Sequence, residues 1–238
     1  MHVIKCRKGY KMKRGRFFYK LQNHFRNKRF QVFDALLRSI LETQPEVSIL
    51  DAGGRPEYWK ILPQDLRGKV RITCLNFQSE LDAYSEPGQD LQIVSVVGDA
   101  CNMPEFTANA FDIVHSNSVI EHVGSYQNMK RFADEVRRVG KSYYIQTPNY
   151  WFPVEPHYGV PFFHWLPDTW RIWLFTRINV GFARKCPFDT TLARVDHTRM
   201  ISAFLMRGMF PDAQIRRERI LLLPKSIIAL RVPGSAVM

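Results

Sequence analysis

Short apolar segments alternate with helical stripes over the first 150 residues, and this alternation constrains the fold more than any other feature. Residues 47–50 form one such segment, which ends at Asp51-Ala52-Gly53-Gly54, as a buried parallel strand does on entering a tight turn. Four more segments have the same character: 70–75, 93–97, 111–114 and 143–145. The pattern predicts an α/β fold with a doubly wound, mostly parallel sheet.

Two helices are predicted from apolar residues at helical spacing. The first begins with Asn27 as its cap and ends before Pro45. Its apolar positions are Phe30, Phe33, Leu36, Leu37, Ile40 and Leu41. The second lies between Ser125 and Gly140, and its apolar positions are Met129, Phe132, Val136 and Val139.

The C-terminal part of the chain departs from this alternation. Residues 215–223 and 226–232 are strand-like runs separated by Pro224-Lys225, which predicts an antiparallel pair at the sheet edge. No repeat or low-complexity linker divides the chain. We therefore predict a basic N-terminal arm over residues 1–29 and a single domain over 30–238, with an insertion or lid over 149–197.

The insertion is rich in aromatic residues. Residues 150–182 hold 11 of the 31 aromatics of the chain and four of its five tryptophans. This density fits a lid over an apolar or glycan acceptor, a patch at a membrane interface, or a small core packed within the insertion.

The charge is concentrated at the N-terminus. Residues 1–29 contain eleven of the 34 lysines and arginines and no acid, whereas the remainder carries 23 bases and 22 acids. Aromatic residues are interleaved with these bases, which fits a solvated tail, an anionic membrane surface or, less well, nucleic-acid phosphates. The chain has four scattered cysteines and no apolar run long enough to span a bilayer, so we expect a cytoplasmic protein. Peripheral association with the inner face of the membrane is a further hypothesis.

Three predicted strands end in residues suited to a nucleoside ligand. In open α/β sheets, ligands bind beyond the carboxyl ends of the strands. The first strand end carries paired glycines, which let the backbone turn sharply, and the second carries Asn76, whose amide suits ribose hydroxyls. The third carries Asp99, a carboxylate that suits an exocyclic amine.

In this order, the motifs resemble those of class I S-adenosylmethionine-dependent methyltransferases, in particular the small-molecule type related to ubiquinone and sugar methyltransferases. Asp51 and Gly53 match the strand-one motif, whereas Arg55 replaces its second glycine and Asn76 replaces the usual acid of strand two. Residues 111–123, which end in Glu-His-Val, resemble the strand-four segment of the family. The resemblance implies a Rossmann-like methyltransferase fold and S-adenosylmethionine as cofactor. The implied cofactor-binding residues are Asp51, Ala52, Gly53, Gly54, Arg55, Asn76, Phe77, Asp99, Ala100, Ser116 and Asn117.

Two other enzyme classes lack their motifs. The dehydrogenase fingerprint G-x-G-x-x-G is missing, because Arg55, Pro56 and Glu57 follow the glycines. Nucleobase amino-methyltransferases usually carry Asn/Asp-Pro-Pro-aromatic after strand four, where this chain has Ser116-Asn117-Ser118.

The acceptor side is predicted from His122, Glu155 and His157, the candidate catalytic residues. His122 follows the strand-four motif, and imidazole suits general-base work near neutral pH. Glu155 and His157 follow the fifth strand, where they would orient an acceptor hydroxyl, bind a metal together with another ligand, or cap the lid. Two residues at this spacing are weak evidence for a metal, and we predict none. The leading hypothesis is O-methylation of a small-molecule, sugar or lipid-linked acceptor. The alternative is a non-catalytic protein that binds S-adenosylmethionine or a membrane surface.

Overall fold

The computed structural model of the chain describes residues 16–78 and 91–232, with side chains described from Phe25 onward. The helices are α1 (Arg16–Leu41), α2 (Gln64–Arg67), α3 (Tyr126–Val139), α4 (Asp168–Arg177), α5 (Phe188–Asp196) and α6 (Ala203–Met209). Short 3-10 helices span Pro56–Ile61, Ile120–His122 and Phe163–Trp165. Within these described ranges, no helix has both the length and the apolar character needed to cross a bilayer.

The described residues form nine strands, of which all but the short β6 and β7 correspond to predicted segments. They are β1 (Val47–Ala52), β2 (Val70–Asn76), β3 (Gln92–Val97), β4 (Phe111–Asn117), β5 (Gly140–Pro148), β6 (Val154–Glu155), β7 (Val160–Pro161), β8 (Gln214–Ile220) and β9 (Leu223–Arg231). Seven of them form one sheet in the order β3-β2-β1-β4-β5-β9-β8, and β6 pairs with β7. The first five strands run parallel, while β9 is antiparallel to both β5 and β8. The predicted doubly wound sheet with an antiparallel C-terminal pair is confirmed.

The sheet is buried on both faces by apolar side chains. On one face, α1 contributes Phe33 and Leu37 to a cluster with the fully buried Trp59. On the other, Met129 and Phe132 of α3 pack with Phe210, which follows α6. The strand order reverses between β1 and β4, so the topological switch point lies at their carboxyl ends.

The prediction that the first helix begins at Asn27 is wrong, because α1 begins at Arg16 and continues through Asn27 without interruption. Lysine, arginine and glutamine are good helix formers, and no glycine or proline stands between Gly15 and Pro45. Residues 16–29 of the predicted arm therefore belong to this helix, and residues 1–15 lie outside the described part of the chain. Arg29 pairs with the buried Glu218 at 3.3 Å, which fixes the second half of α1 against β8.

The predicted turn at Pro224-Lys225 is also wrong. Both residues lie inside β9, and the two-residue turn is Leu221-Leu222. Pro224 pairs with Arg219 next to a break in register between Glu218 and Arg219, and a bulge is one of the few places where a strand tolerates proline. Leu221 adopts a left-handed conformation with φ 53°, which is unfavourable for leucine.

The insertion after β5 contains a small core of its own. Tyr158, Phe163 and Phe175 pack with Val180 and Val195 in a cluster separate from the two that cover the sheet. The four tryptophans of the insertion remain outside it. Trp151, Trp165, Trp170 and Trp173 are all exposed.

Candidate active site

The glycine loop after β1 lies at the switch point and has the geometry of a close ligand approach. Gly53 has φ +75°, and a Cβ atom there would lie 2.7 Å from the side chain of Val119. Its N–H donates to the carbonyl of Leu75 at 2.8 Å, which ties the loop to β2. A Cβ on Gly54 would overlap the carboxylate of Asp51, 1.7 Å from Oδ2, so only glycine fits there.

The carboxylate of Asp51 lies directly against Gly54 of this loop. It is 1% exposed, and its carboxylate accepts from Trp59 Nε1 at 2.8 Å and lies 2.7 Å from His115 Nδ1. His115 in turn lies among the rings of Phe33, Tyr58 and Tyr144. Because both carboxylate oxygens have protein partners, Asp51 is placed to hold the loop rather than to touch a ligand.

The end of β2 is joined to the same loop. Asn76 Nδ2 donates to the carbonyl of Gly54 at 3.2 Å, and its Oδ1 accepts from the backbone N–H of Phe77 at 3.0 Å. The amide predicted to bind a ribose thus sets the position of the glycine loop. Phe77 directly follows it and is half exposed, so its ring is available to a ligand.

Asp99 lies at the end of β3 and is exposed, as a base-recognising carboxylate must be. Its Oδ1 accepts from the backbone N–H of Cys101 at 2.9 Å. Ala100, between them, packs against the buried cluster under α3. Burial, with the nearby Asp99 charge, raises the pKa of the Cys101 thiol to about 12, so this cysteine is not a thiolate nucleophile at neutral pH.

Ser116 and Asn117 end β4 beside the loop. Ser116 is buried, and its hydroxyl donates to the carbonyl of Ala52 at 2.9 Å, which fixes the spacing between β1 and β4. Asn117 Oδ1 is buried without a hydrogen-bond partner among the described residues. Ser118 has φ 58° and turns the chain into the next 3-10 helix.

The three predicted catalytic residues form a connected row. His157 Nδ1 lies 2.5 Å from Glu155 Oε1, and His157 Nε2 lies 3.1 Å from His122 Nε2. The other ring nitrogen of His122 lies 2.7 Å from the backbone carbonyl of His197. Glu155 is buried and also accepts from the N–H of Tyr158 at 2.6 Å. The structure therefore brings together residues 35 positions apart in the sequence.

Glu121 is a site residue to which the sequence prediction gave no role. It is fully buried, and its Oε2 accepts from the hydroxyl of Thr147 at 2.9 Å. Its ligand atom and those of His122 and His157 lie within 4.8 Å of one another. The available signal was an acid inside an otherwise apolar run, Val119-Ile120-Glu121, where burial without a functional partner is costly.

A cavity of about 280 Å³ lies between Tyr126 of α3, the insertion and residues 198–200. Tyr150, His164, Trp165, Arg171 and Arg199 are among its lining residues. Burial lowers the pKa of His164, so its neutral form is favoured near pH 7. A larger cavity of about 650 Å³ adjoins β8 and contains none of the site residues described above.

The central part of the chain matches a known protein family. Residues 52–143 match the sequence profile of a methyltransferase domain, which covers the glycine loop, Asn76, Asp99 and the segment through His122. An uncharacterized protein of Mycobacterium tuberculosis, in strains CDC 1551 and H37Rv, is 36% identical over 73 residues. That match covers 30% of this chain and only 25% of the length of these relatives.

Several solved structures share the fold. An S-adenosylmethionine-dependent methyltransferase of Methanosarcina mazei is 15% identical with a TM-score of 0.52, and the match covers 79% of this chain and 94% of that one. The S-adenosylmethionine-dependent methyltransferase SibL is 14% identical with a TM-score of 0.50, over 86% of this chain and 57% of that one. A Rhodobacter sphaeroides protein, provisionally described as a zinc-dependent alcohol dehydrogenase, is 14% identical with a TM-score of 0.51, over 82% and 87%.

At such identities the structural likeness shows the fold alone, and it includes a protein described as a dehydrogenase. The domain profile separates these alternatives, because it matches the residues that form the switch-point loop. Residues 52–143 therefore match a methyltransferase domain, and the fold of the chain is the one found in S-adenosylmethionine-dependent methyltransferases.

Proposed function

We propose that this chain transfers the methyl group of S-adenosylmethionine to an oxygen of a small-molecule, sugar or lipid-linked acceptor. The observation that carries the proposal is the Glu155–His157–His122 row. Its residues come after the carboxyl ends of β4 and β5 in the chain, and β4 is the neighbour of the strand that ends in the glycine loop. Methyl transfer from a sulfonium needs an aligned nucleophile whose proton is removed, and it needs no further redox chemistry.

The cofactor side is assigned to the residues at the ends of β1 to β4. Gly53, Gly54 and Arg55 would approach the methionyl part of the donor, with Asn76 and Phe77 beside its ribose. Asp99 and Ala100 would meet the adenine. Asp51, Ala52 and Ser116 would act through the loop, since their described bonds join β1 to its neighbours. Asn117 would turn its buried Oδ1, which is unpartnered within the described part of the chain, to the donor.

On the acceptor side, the hydrogen-bond partners orient the two imidazoles. The carboxylate of Glu155 accepts from His157, and the carbonyl of His197 accepts from His122, so each ring presents its Nε2 to the other. A pair of ring nitrogens facing a common point is suited to take the proton of an acceptor hydroxyl. The exposed position of His122 gives that hydroxyl access.

The direct test is incubation of the protein with a donor carrying a labelled methyl group and a fractionated cell extract, followed by mass analysis of the labelled products. We expect label on an oxygen of one small or lipid-linked compound. Donor binding without labelled product in any fraction would instead favour a non-catalytic binding protein. A folded sample that binds neither S-adenosylmethionine nor its demethylated product would contradict the enzyme proposal.

A lipid-linked acceptor is supported by an apolar surface at the same edge of the sheet. Pro148, at the carboxyl end of β5, pairs with Ser226 of β9, so the Leu221-Leu222 turn lies at this edge. Leu221 is 92% and Leu222 87% exposed, and the preceding strand carries exposed arginines at 216, 217 and 219. Exposed apolar side chains next to arginines suit the interface of an anionic bilayer.

We therefore propose peripheral association with the cytoplasmic face of a membrane. Sedimentation with anionic and neutral vesicles, at low and high salt, tests it. Replacing both leucines of the turn with serine, or Trp170 and Trp173 with alanine, should reduce binding that persists at high salt. Deleting residues 1–15 removes six bases without cutting α1 and should reduce salt-sensitive binding. A protein that stays in the supernatant throughout but shifts RNA in a gel would contradict the membrane proposal.

A further inference from the structure

The acceptor-side cluster contains the donor atoms of a metal site. Glu121, His122 and His157 each place one ligand atom within 4.8 Å of the others. Glu121 and His122 are neighbours in the 3-10 helix after β4, and His157 reaches them from the segment between β6 and β7. Two imidazoles and one carboxylate are a ligand set that first-row divalent metals prefer.

The hydrogen bonds of the two rings leave both Nε2 atoms as acceptors. A carboxylate and a carbonyl oxygen can only accept, so the Nδ1 atoms of His157 and His122 carry the hydrogens. In a neutral imidazole the other nitrogen then carries a lone pair and no hydrogen. The two Nε2 atoms are 3.1 Å apart, so two lone pairs face each other unless a cation lies between them.

The cation between the two rings could be a proton or a metal ion, and the surroundings of Glu121 favour the metal ion. Its Oε1 is buried and has no hydrogen-bond partner among the described residues, although Oε2 is bonded to Thr147. A proton shared by the imidazoles would leave this carboxylate oxygen unsatisfied. A metal ion would satisfy all three groups at once.

The distances also fit a metal. Metal–nitrogen bonds of about 2.1 Å at angles between octahedral and tetrahedral place two ligand nitrogens roughly 3.0–3.4 Å apart. The separation of 3.1 Å lies in this range. The outer partners, a carboxylate on His157 and a backbone carbonyl on His122, are those that orient metal-binding histidines in general.

From these observations we propose that Glu121, His122 and His157 bind a divalent first-row metal ion such as Zn²⁺, Mn²⁺ or Co²⁺. The exposed side of His122 leaves coordination positions open toward the acceptor. With an ion bound, the two Nε2 atoms would be ligands and not proton acceptors. The ion would instead hold the acceptor oxygen and lower the pKa of its hydroxyl, so that water could take the proton. This role rests on the proposed methyl transfer, whereas the binding site itself does not.

The test is metal binding by the untagged full chain after chelator treatment, with no donor or acceptor present. We expect about one equivalent of Zn²⁺ by calorimetry, and Co²⁺ should give visible absorption bands of nitrogen–oxygen coordination. Glu121→Gln and His157→Asn should each weaken binding by about 100-fold or more, at or above the upper end of the 10- to 100-fold typical of outer-shell changes. His197→Asn removes an exposed imidazole but keeps the carbonyl that holds His122, so it should bind metal normally.

Two results would overturn the proposal. One is a wild-type protein that binds none of the three ions. The other is equal binding by wild type and by the double variant His122→Asn/His157→Asn, with thermal denaturation showing that both are folded; the metal would then occupy other histidines. Metal binding without methyl transfer would contradict only the proposed function, and methyl transfer by a metal-free protein would contradict only the role of the ion in the reaction.

Discussion

Replacing Asp51 with asparagine keeps the size of the side chain but changes what its two buried partners can do. Trp59 Nε1 can only donate, so the amide oxygen must stay on its side. The amide NH₂ group then faces His115, whose Nδ1 must become an acceptor and whose hydrogen must move to Nε2. That Nε2 atom is buried without a hydrogen-bond partner among the described residues.

The cost follows from these contacts. The bond from Trp59 loses its charged acceptor, and a buried N–H at His115 is left unsatisfied. Together these changes should lower the free energy of unfolding by about 2–4 kcal/mol. For a domain of this size, Tm should fall by roughly 4–16 °C. Because Asp51 holds the glycine loop, the affinity for S-adenosylmethionine should also fall, by about tenfold or more.

Urea denaturation gives the stability and titration calorimetry gives the donor affinity. Asp65→Asn is the matched control, since this carboxylate is exposed and forms an ion pair with Arg38 at 2.8 Å. It should change stability by less than about 1 kcal/mol. An Asp51→Asn protein as stable as the control variant, with unchanged donor affinity, would refute the reasoning from the buried contacts.

Three further predictions concern single residues. Asp99→Ala should weaken donor binding in calorimetry by about tenfold or more while Tm changes little, because Asp99 is exposed. His122→Asn should lower turnover about 100-fold with donor affinity nearly intact; unchanged turnover would place proton removal elsewhere. The hydrogen bond from Arg138 lowers the pKa of Glu135, so this pair stabilises the fold above the unfolded pKa of about 4.3, and its contribution is lost as pH falls through the lower folded pKa. Glu135→Gln should therefore flatten the acid side of a stability–pH curve, and an unaltered slope would contradict this.

The sheet and the position of the glycine loop at its switch point were predictable because their signals are local. The apolar strand, Asp51 and the two glycines stand next to one another in the sequence, so one short segment predicts the strand and the turn that follows it. The helix after Ser125 likewise has its cap and its apolar positions in one short segment. Ser125 Oγ does accept from the N–H of Asn128, at 3.1 Å. The residues that position these motifs are harder to identify, because a buried Trp59 or His115 looks in sequence like any core residue.

The errors arose where tertiary contacts override local preference. Asparagine is favoured as a helix N-cap, but α1 continues without a break through Asn27. Its neighbours are good helix formers, and the pairing of Arg29 with Glu218 holds this part of the helix against the sheet. Pro224-Lys225 has the composition of a turn, but the break in the β8–β9 register accommodates the proline inside β9, and the turn falls on two leucines. The approach of Glu121 to two histidines depends on the path of the insertion, which no local pattern encodes.

The position of β9 has a consequence for synthesis of the chain. This strand lies inside the sheet between β5 and β8, although it is the last strand of the described chain. Residues 143–148 of β5 pair with residues 226–231, about 80 positions downstream. Until these emerge from the ribosome, β5 is an open edge with Tyr143 and Ile145 uncovered, the kind of edge that recruits other strands. The nascent chain should therefore depend on chaperones until its final hairpin pairs, and premature termination before Leu223 should yield aggregates rather than a smaller folded domain.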